Sequence, residues 1–343
     1  MRSPQHDGDT VNLDTLSSTL AEILADYQPG PPMTAARVLA WVRQFREDEQ
    51  EAILLELAHA FRAVYFSRDR VRACVVGWME RLLGGHDPDA ALGRIRFLDV
   101  QRREASQSAL LRLADDWLRA RWGRGVESCG RGSPPLTYVY LDDAVNTGNR
   151  IRYDLAGTAH GTSRGWLRRS VAPGSRLLIY VLCCHLAGWR YAGRAIADAA
   201  GGAGVEWGLL SELDLNNERV PGSDAECLWP EAPGDDQAVF PHSGGFGFRP
   251  PGTPPQERFF RSPETRRILE QAFLREGIRL LGESRGDAPR SEQRPLGFEV
   301  LPTPGFGTLF STYRNIPNNA PLVLWVGRGG ARPWIPLLPR RSG

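Results

Sequence analysis

Lysine is absent from the 343-residue sequence, so all 42 basic residues are arginine. We interpret this as a compositional bias, because it runs through the whole chain and is not confined to one patch. The absence excludes every mechanism that needs a lysine amine, including the P-loop lysine and Schiff-base catalysis. The acidic residues number 40, and the resulting net charge of +2 gives no strong signal for nucleic-acid binding.

Cysteine and long apolar runs are also scarce. The five cysteines contain no Cys-x-x-Cys pair, which argues against a disulfide framework and against a zinc ribbon. The longest apolar runs, such as 177–184, reach about eight residues, far short of the ~20 that cross a bilayer. The first ten residues are polar and do not have the pattern of a signal peptide. We therefore expect a cytoplasmic protein that does not bind a membrane.

The first third of the chain has the apolar spacing of helices, with intervals of three and four residues. The predicted helices span residues 11–27, 34–42, 49–65, 67–83 and 106–122. A stretch rich in Gly, Ser and Pro at 123–135 then marks a boundary. We predict an N-terminal helical domain over residues 1–125, which could bind a protein partner or sense a trigger.

After this boundary, runs of β-forming residues alternate with helical patterns. Strands are predicted at 136–141, 176–184 and 204–210, and helices at 187–200 and 262–281. The strand runs are almost continuously apolar, which favours a parallel sheet covered by helices on both faces. We predict an α/β domain with a mostly parallel sheet over residues 126–343, and we expect the segment 296–334 to finish that sheet.

The segment 137–150, Thr-Tyr-Val-Tyr-Leu-Asp-Asp-Ala-Val-Asn-Thr-Gly-Asn-Arg, carries a pattern suited to phosphate chemistry. Its apolar strand leads into Asp142 and Asp143, and a short loop then leads into a predicted helix. Ligands of open α/β sheets bind beyond the carboxyl ends of the strands. Two adjacent carboxylates at that edge would hold ribose hydroxyls or a Mg²⁺ ion.

The loop of this segment supplies groups that favour an anion. Backbone N–H groups at the loop and at the helix start have no partner within the helix and favour phosphate. Gly148 would let the backbone approach an anion without a Cβ in the way. The hydroxyl of Thr147 and the side-chain amides of Asn146 and Asn149 add further donors.

The whole segment resembles the 5-phosphoribosyl-1-diphosphate (PRPP) motif of the type I phosphoribosyltransferases. That motif has four apolar residues, two acidic residues, two residues of any type and a Thr-Gly loop. The match covers the strand, the acidic pair and the Thr-Gly step. It departs at Asn149, where Gly is common, and at Arg150, where a Thr usually contacts the 5′-phosphate. Arginine also binds phosphate well, so we expect these departures to affect the transfer reaction more than phosphate binding.

Other stretches are similar to the phosphoribosyltransferase-like family of bacterial conflict systems, some members of which accompany retrons and related antiphage loci. These stretches lie at 41–45, 65–68, 258–264 and 315–325, and the Asn-Ile-Pro-Asn-Asn start of the last is the most distinctive. The resemblance implies a type I phosphoribosyltransferase fold joined to a helical N-terminal region. It also implies a role in defence, as an effector that acts on a nucleotide or nucleoside metabolite.

Asn318 and Asn319 belong to the last of these stretches. Their side-chain amides can bond a base edge or the backbone of their own turn, and the resemblance favours the ligand. A further candidate is the segment 99–108, where Ser106 can cap a helix whose amides would bind diphosphate beside Arg102. A plain capped surface helix is the alternative for Ser106.

Two hypotheses of different classes follow. In the first, the protein is an enzyme that binds PRPP, or a nucleotide carrying ribose 5-phosphate, with Mg²⁺ and acts at the ribose anomeric carbon. Asp142 and Asp143 would orient the ribose and the metal, and residues 146–150 would hold the 5′-phosphate. In the second, the protein is a catalytically inactive module for sensing PRPP or nucleotides, or a scaffold. The departures at Asn149 and Arg150 and the lack of lysine favour the second.

Overall fold

The computed structural model describes residues 12–101, 106–157, 165–169, 171–232, 247–251, 259–282, 292–328 and 333–340. These residues form ten α-helices and six β-strands, numbered in chain order. The helices are α1 Leu13–Ile23, α2 Ala35–Val42, α3 Gln50–Val64, α4 Arg68–Leu83, α5 Pro88–Arg94, α6 Ser106–Trp122, α7 Asn149–Leu155, α8 Leu186–Ala203, α9 Pro263–Gly282 and α10 Leu322–Trp325. The strands are β1 Tyr65–Phe66, β2 Ile95–Phe97, β3 Thr137–Val145, β4 Arg176–His185, β5 Glu206–Leu215 and β6 Ser311–Thr312.

The helices predicted from apolar spacing are confirmed, and their starts show why the chain turns into a helix there. The side chain of Asn12 accepts a hydrogen bond from the Asp14 amide at the start of α1. The Thr34 side chain does the same for the Arg37 amide in α2, so each cap satisfies an amide that the helix leaves unpaired. None of the helices in the described parts of the chain combines the length and the apolar character needed to cross a bilayer.

The main sheet has four parallel strands in the order β2-β3-β4-β5, which confirms the predicted α/β class. Helices α4 and α6 pack against each other and against β4 and β3, respectively. Helices α7 and α8 also pack against each other, and α8 contacts β4 and β5. Every fourth residue of α8 is buried, from Gly188 through Ala192 and Ile196 to Ala200, which is the spacing of a helix face that covers a sheet.

The prediction that the segment 296–334 finishes this sheet is wrong for its described residues. Only β6 is a strand there, and it pairs with β1 in a separate two-stranded parallel sheet. The apolar run Leu322–Trp325 in this segment forms the short helix α10, which follows Pro321. Prolines recur through this segment, and each removes a backbone donor that a sheet would need.

The described residues divide into two compact units. The first is built from residues within Met1–Ser67 and Arg219–Arg341, and the second from residues within Arg68–Glu218. The second unit contains the four-stranded sheet. The boundary predicted between residues 125 and 126 falls inside that unit, between β2 and β3 of one sheet. The predicted division into a helical domain and an α/β domain stays a prediction.

A buried ionic cluster lies within the first unit. Glu270 of α9 has no solvent exposure. Its Oε1 atom accepts hydrogen bonds from Arg266 Nε at 2.9 Å and from the Trp229 amide at 2.8 Å, and its Oε2 atom accepts one from Arg249 Nη2 at 3.0 Å. Arg266 also donates to the carbonyls of Ala225 and Cys227. The cluster therefore fixes an irregular segment of chain onto α9.

Candidate functional site

The acidic pair lies on an inner strand of the four-stranded sheet. Strand β3 pairs with β2 on one side and with β4 on the other, where Asp142 stands opposite Val181. The strand continues past the pair to Val145, four residues beyond the end of the predicted run 136–141. Asp142 is only 5% exposed, whereas Asp143 is half-buried. We expected both carboxylates to be accessible at the carboxyl end of the strand. Asp142 does not meet this expectation, because its side chain is buried.

The loop after β3 is short and packs tightly against the first turn of α8. Gly148 has φ +79°, and a Cβ atom there would lie 2.2 Å from the Gly188 carbonyl oxygen. A Cβ atom on Gly188 would in turn lie 1.7 Å from the Asn146 carbonyl oxygen. Both positions exclude a larger side chain, since real Cβ atoms do not approach other atoms so closely. Glycine is required at 148 for this packing, whatever the loop binds.

The side chains of the loop differ in how they are placed. Asn146, Thr147 and Asn149 are half-buried, and Arg150 is exposed. The Asn149 amide lies 3.5 Å from the Thr147 hydroxyl oxygen, the outer limit of a hydrogen bond. The Oδ1 atom of Asn146 is buried and has no hydrogen-bond partner among the residues that the structure describes. The contiguous residues 146–150 thus form one compact turn at the start of α7.

A network of polar side chains surrounds Asp142. Its Oδ1 atom accepts hydrogen bonds from Ser106 Oγ at 2.5 Å and from the Asp143 amide at 2.8 Å. Its Oδ2 atom lies 2.7 Å from Gln101 Nε2 and 3.0 Å from the Tyr140 hydroxyl. The network links the segment before α6, the start of α6 and strand β3.

Asp154 of α7 joins this network through Tyr140. The Tyr140 hydroxyl lies 2.9 Å from Asp154 Oδ2 as well as 3.0 Å from Asp142 Oδ2. Burial raises the pKa of Asp154, against the hydrogen bond from Tyr140, which lowers it. Burial also raises the pKa of Tyr140 well above its ordinary value. The Tyr140 hydroxyl has a single proton, so it can donate to only one of the two carboxyl groups at a time.

Sequence reasoning missed Gln101, Tyr140 and Asp154. Two signals were present in the sequence. Tyr140 stands two residues before Asp142 on the same strand, which is the spacing of side chains on one strand face. Asp154 lies between Ile151 and Leu155 on the buried side of α7, and a carboxylate on an apolar helix face needs a partner.

Replacing Tyr140 with phenylalanine should lower the free energy of unfolding by about 1–3 kcal/mol, because two buried carboxyl groups lose a hydrogen-bond partner. Equilibrium unfolding in urea measures the change. Tyr138→Phe is the matched control, since Tyr138 lies on the same strand and its hydroxyl makes no hydrogen bond among the described residues. We expect the control to change stability by no more than about 0.5 kcal/mol. Equal effects of the two changes would contradict the network.

The structure shows a contact of Ser106 that the sequence did not predict. Ser106 is the first residue of α6, and its hydroxyl donates to Asp142. The predicted role of its helix in binding diphosphate stays a prediction. Arg102 lies outside the described residues.

Asn318 and Asn319 lie in the first unit, in a turn before α10. The Asn319 side chain is buried and donates from Nδ2 to the Phe298 carbonyl at 2.8 Å. The Phe298 amide donates to the Asn318 carbonyl at 2.8 Å. These hydrogen bonds connect the turn to the segment that contains Phe298, so the Asn319 side chain has a structural role. Contact of either residue with a ligand stays a prediction.

The two cysteines and the histidine at the end of β4 are core residues. Cys183, Cys184 and His185 have no solvent exposure. The Nδ1 atom of His185 lies 3.1 Å from the Val145 carbonyl oxygen. Burial raises the pKa of Cys184 to about 12, which keeps the thiol protonated and unreactive.

The residues around the acidic pair fit Mg²⁺ only if a ligand supplies further oxygens. No group of three or more His, Cys, Asp or Glu side chains suited to a metal occurs within the described part of the chain. Mg²⁺ is commonly held by one or two carboxylates together with waters and substrate phosphates. The half-buried carboxylate of Asp143 suits that arrangement.

The structure has an acidic pair on an inner parallel strand, a tight Thr-Gly loop after it, and helices that flank the sheet. These are features of phosphoribosyltransferase-type α/β proteins. The family model PRTase-CE matches residues 38–340, and the chain belongs to this phosphoribosyltransferase-type family. Neither the search of curated proteins nor the search of solved structures found a match.

Proposed function

We propose that the protein binds PRPP, or a nucleotide that carries ribose 5-phosphate, together with Mg²⁺, and acts at the anomeric carbon of the ribose. The observation that supports this most is the acidic pair on an inner strand, followed directly by the glycine loop. Phosphate would be held by the backbone and side chains of residues 146–150. Arg150 is exposed, and its guanidinium can pair with phosphate oxygens in a bidentate way.

In transfer from PRPP, the bond between the anomeric carbon and the diphosphate oxygen breaks, and the diphosphate leaves with the electron pair. The acceptor forms the new bond to the same carbon and loses its proton to solvent. The carboxylates of the acidic pair would stabilise the positive charge that develops on the ribose ring. Bound Mg²⁺ would neutralise the charge that builds up on the leaving diphosphate. In a nucleotide substrate, the bond to the base would break instead, and water would be the acceptor.

A regulatory role is the second candidate, because the loop departs from the transferase pattern at Asn149 and Arg150. In that case the protein would bind the same ligands without turnover, and the helices of the N-terminal region would pass the signal to a protein partner. The resemblance to conflict-system proteins supports antiphage defence as the setting for either role. Fold alone does not decide between them.

Isothermal titration calorimetry of PRPP and common nucleotides, with and without Mg²⁺, tests the proposal. We expect Mg²⁺-dependent binding, and a loss on the order of 100-fold when Asp142 and Asp143 are both replaced by asparagine. Asp198→Asn is the control, because Asp198 is exposed on α8 of the same unit. Product analysis of the same mixtures separates enzyme from sensor. No binding of any of these ligands to the wild-type protein would contradict the proposal.

A further inference from the structure

The hydrogen bonds that Asp142 already accepts limit what its carboxylate can bind. A carboxylate offers about four lone-pair positions on its two oxygens. Four donor groups already lie within hydrogen-bond distance of Asp142, two at each oxygen, at 2.5–3.0 Å. The side chain is also nearly excluded from solvent. Little capacity is left on Asp142 for a metal ion or for a ribose hydroxyl.

The donors to Asp142 are themselves held in place. The Oε1 atom of Gln107 accepts hydrogen bonds from the amides of Val100 at 2.8 Å and Gln101 at 3.1 Å. Gln107 is fully buried, and its Nε2 atom lies 3.3 Å from the Leu141 carbonyl oxygen. The backbone that carries Gln101 is therefore fixed next to the strand that carries Asp142. Rigid support of this kind is what orients a functional group.

We infer that the two aspartates have different roles. Asp142 is a positioning residue, and Asp143 is the carboxylate that binds the metal and the ribose. The inference rests on the proposed function and names the roles within the same site. Asp142 anchors Gln101 and Ser106, which stand at either end of the segment 102–105, to strand β3. Its bond to the Asp143 amide then fixes the backbone of the ligand-binding carboxylate. Asp143 is half-buried, so a ligand can reach it.

Single asparagine variants separate the two roles. The ratio of PRPP affinities with and without Mg²⁺ measures the coupling between metal and ligand. In Asp143→Asn the ratio should fall to about one, because the metal loses its carboxylate. In Asp142→Asn the affinity should fall, but the ratio should stay at about tenfold or more, because the carboxylate that meets the metal is still present. Calorimetry with the full-length chain gives both quantities.

Thermal melting without ligand gives the second readout. An asparagine at position 142 turns an NH₂ group toward donors, so Asp142→Asn should lower the Tm by several degrees. Asp143→Asn should lower the Tm by less than Asp142→Asn does, because the side chain of Asp143 is less buried. Ser106→Ala and Gln101→Leu should each reproduce part of the Tm loss of Asp142→Asn and should keep the Mg²⁺ ratio.

The outcomes distinguish this inference from the proposed function. If wild type binds PRPP and Asp142→Asn loses the Mg²⁺ ratio while Asp143→Asn keeps it, the division of roles is overturned. If wild type binds none of the ligands, the proposed function fails. The Tm comparison still decides the anchoring role of Asp142 in that case. Equal Tm values for the two single variants would overturn it.

Discussion

Replacing Glu270 with alanine should lower the free energy of unfolding by about 3–5 kcal/mol, the range for removing one partner of a buried ion pair. Glu270 is fully buried, and it accepts hydrogen bonds from Arg266, Arg249 and the Trp229 amide. Without the carboxylate, two buried guanidinium groups keep their positive charges and lose their common acceptor. We expect a large effect because both arginines are buried in the folded protein.

Urea unfolding, monitored by tryptophan fluorescence, measures this effect. Arg267→Ala is the matched control, because Arg267 is an exposed charged residue on the same helix. Its substitution should change stability by no more than about 0.5 kcal/mol. Glu270→Gln should lie between the two, since glutamine keeps the size and one acceptor but not the charge. A loss below about 1 kcal/mol for Glu270→Ala would contradict a stabilising cluster.

Replacing Gly188 with alanine should abolish ligand binding at the loop after β3. The added Cβ atom would lie 1.7 Å from the Asn146 carbonyl oxygen and 3.0 Å from the Thr147 carbonyl carbon. These are backbone atoms, so the loop itself has to move. A displacement on the order of 1 Å in a positioning element can cost about 100-fold in function.

Gly201→Ala is the control for this substitution. Gly201 lies in the same helix, and a Cβ atom there would meet nothing within 4 Å. Alanine at position 201 should stabilise the protein by about 0.5–1 kcal/mol through helix propensity. Calorimetry with PRPP and Mg²⁺, together with thermal melting, compares the two variants. Equal PRPP affinity in Gly188→Ala and wild type would show that this loop does not hold the ligand.

The sequence predicted the parts of the site that are contiguous in the chain. The acidic pair, the Thr-Gly loop and the helix after it could be found because strand, loop and helix follow one another within 137–150. The partners of Asp142 could not be found in this way. Gln101 stands 41 residues before Asp142 in the chain, and Asp154 stands 14 residues after Tyr140. Such contacts form only when the sheet and its helices pack.

The fold was predictable to a similar degree. Periodicity located the long helices and the three long strands of the main sheet, since each shows its pattern over many residues. Strand β2 has only three residues, too few to show alternation. Glu270 and Arg266 are four residues apart on a helix, a spacing typical of solvent-exposed pairs, yet both are fully buried. Their burial depends on chain segments that periodicity does not describe.

The chain order of the two units has a consequence for synthesis on the ribosome. The second unit is continuous, whereas the first is split into segments on either side of it. Within the first unit, α3 packs against α9, and Glu56 of α3 accepts a hydrogen bond from the Arg261 amide 205 residues later. Translation proceeds at about 5–20 residues per second, so roughly 10–40 seconds pass between the synthesis of α3 and that of α9. Nascent chains therefore expose the part of α3 that α9 later covers, while the second unit can already fold.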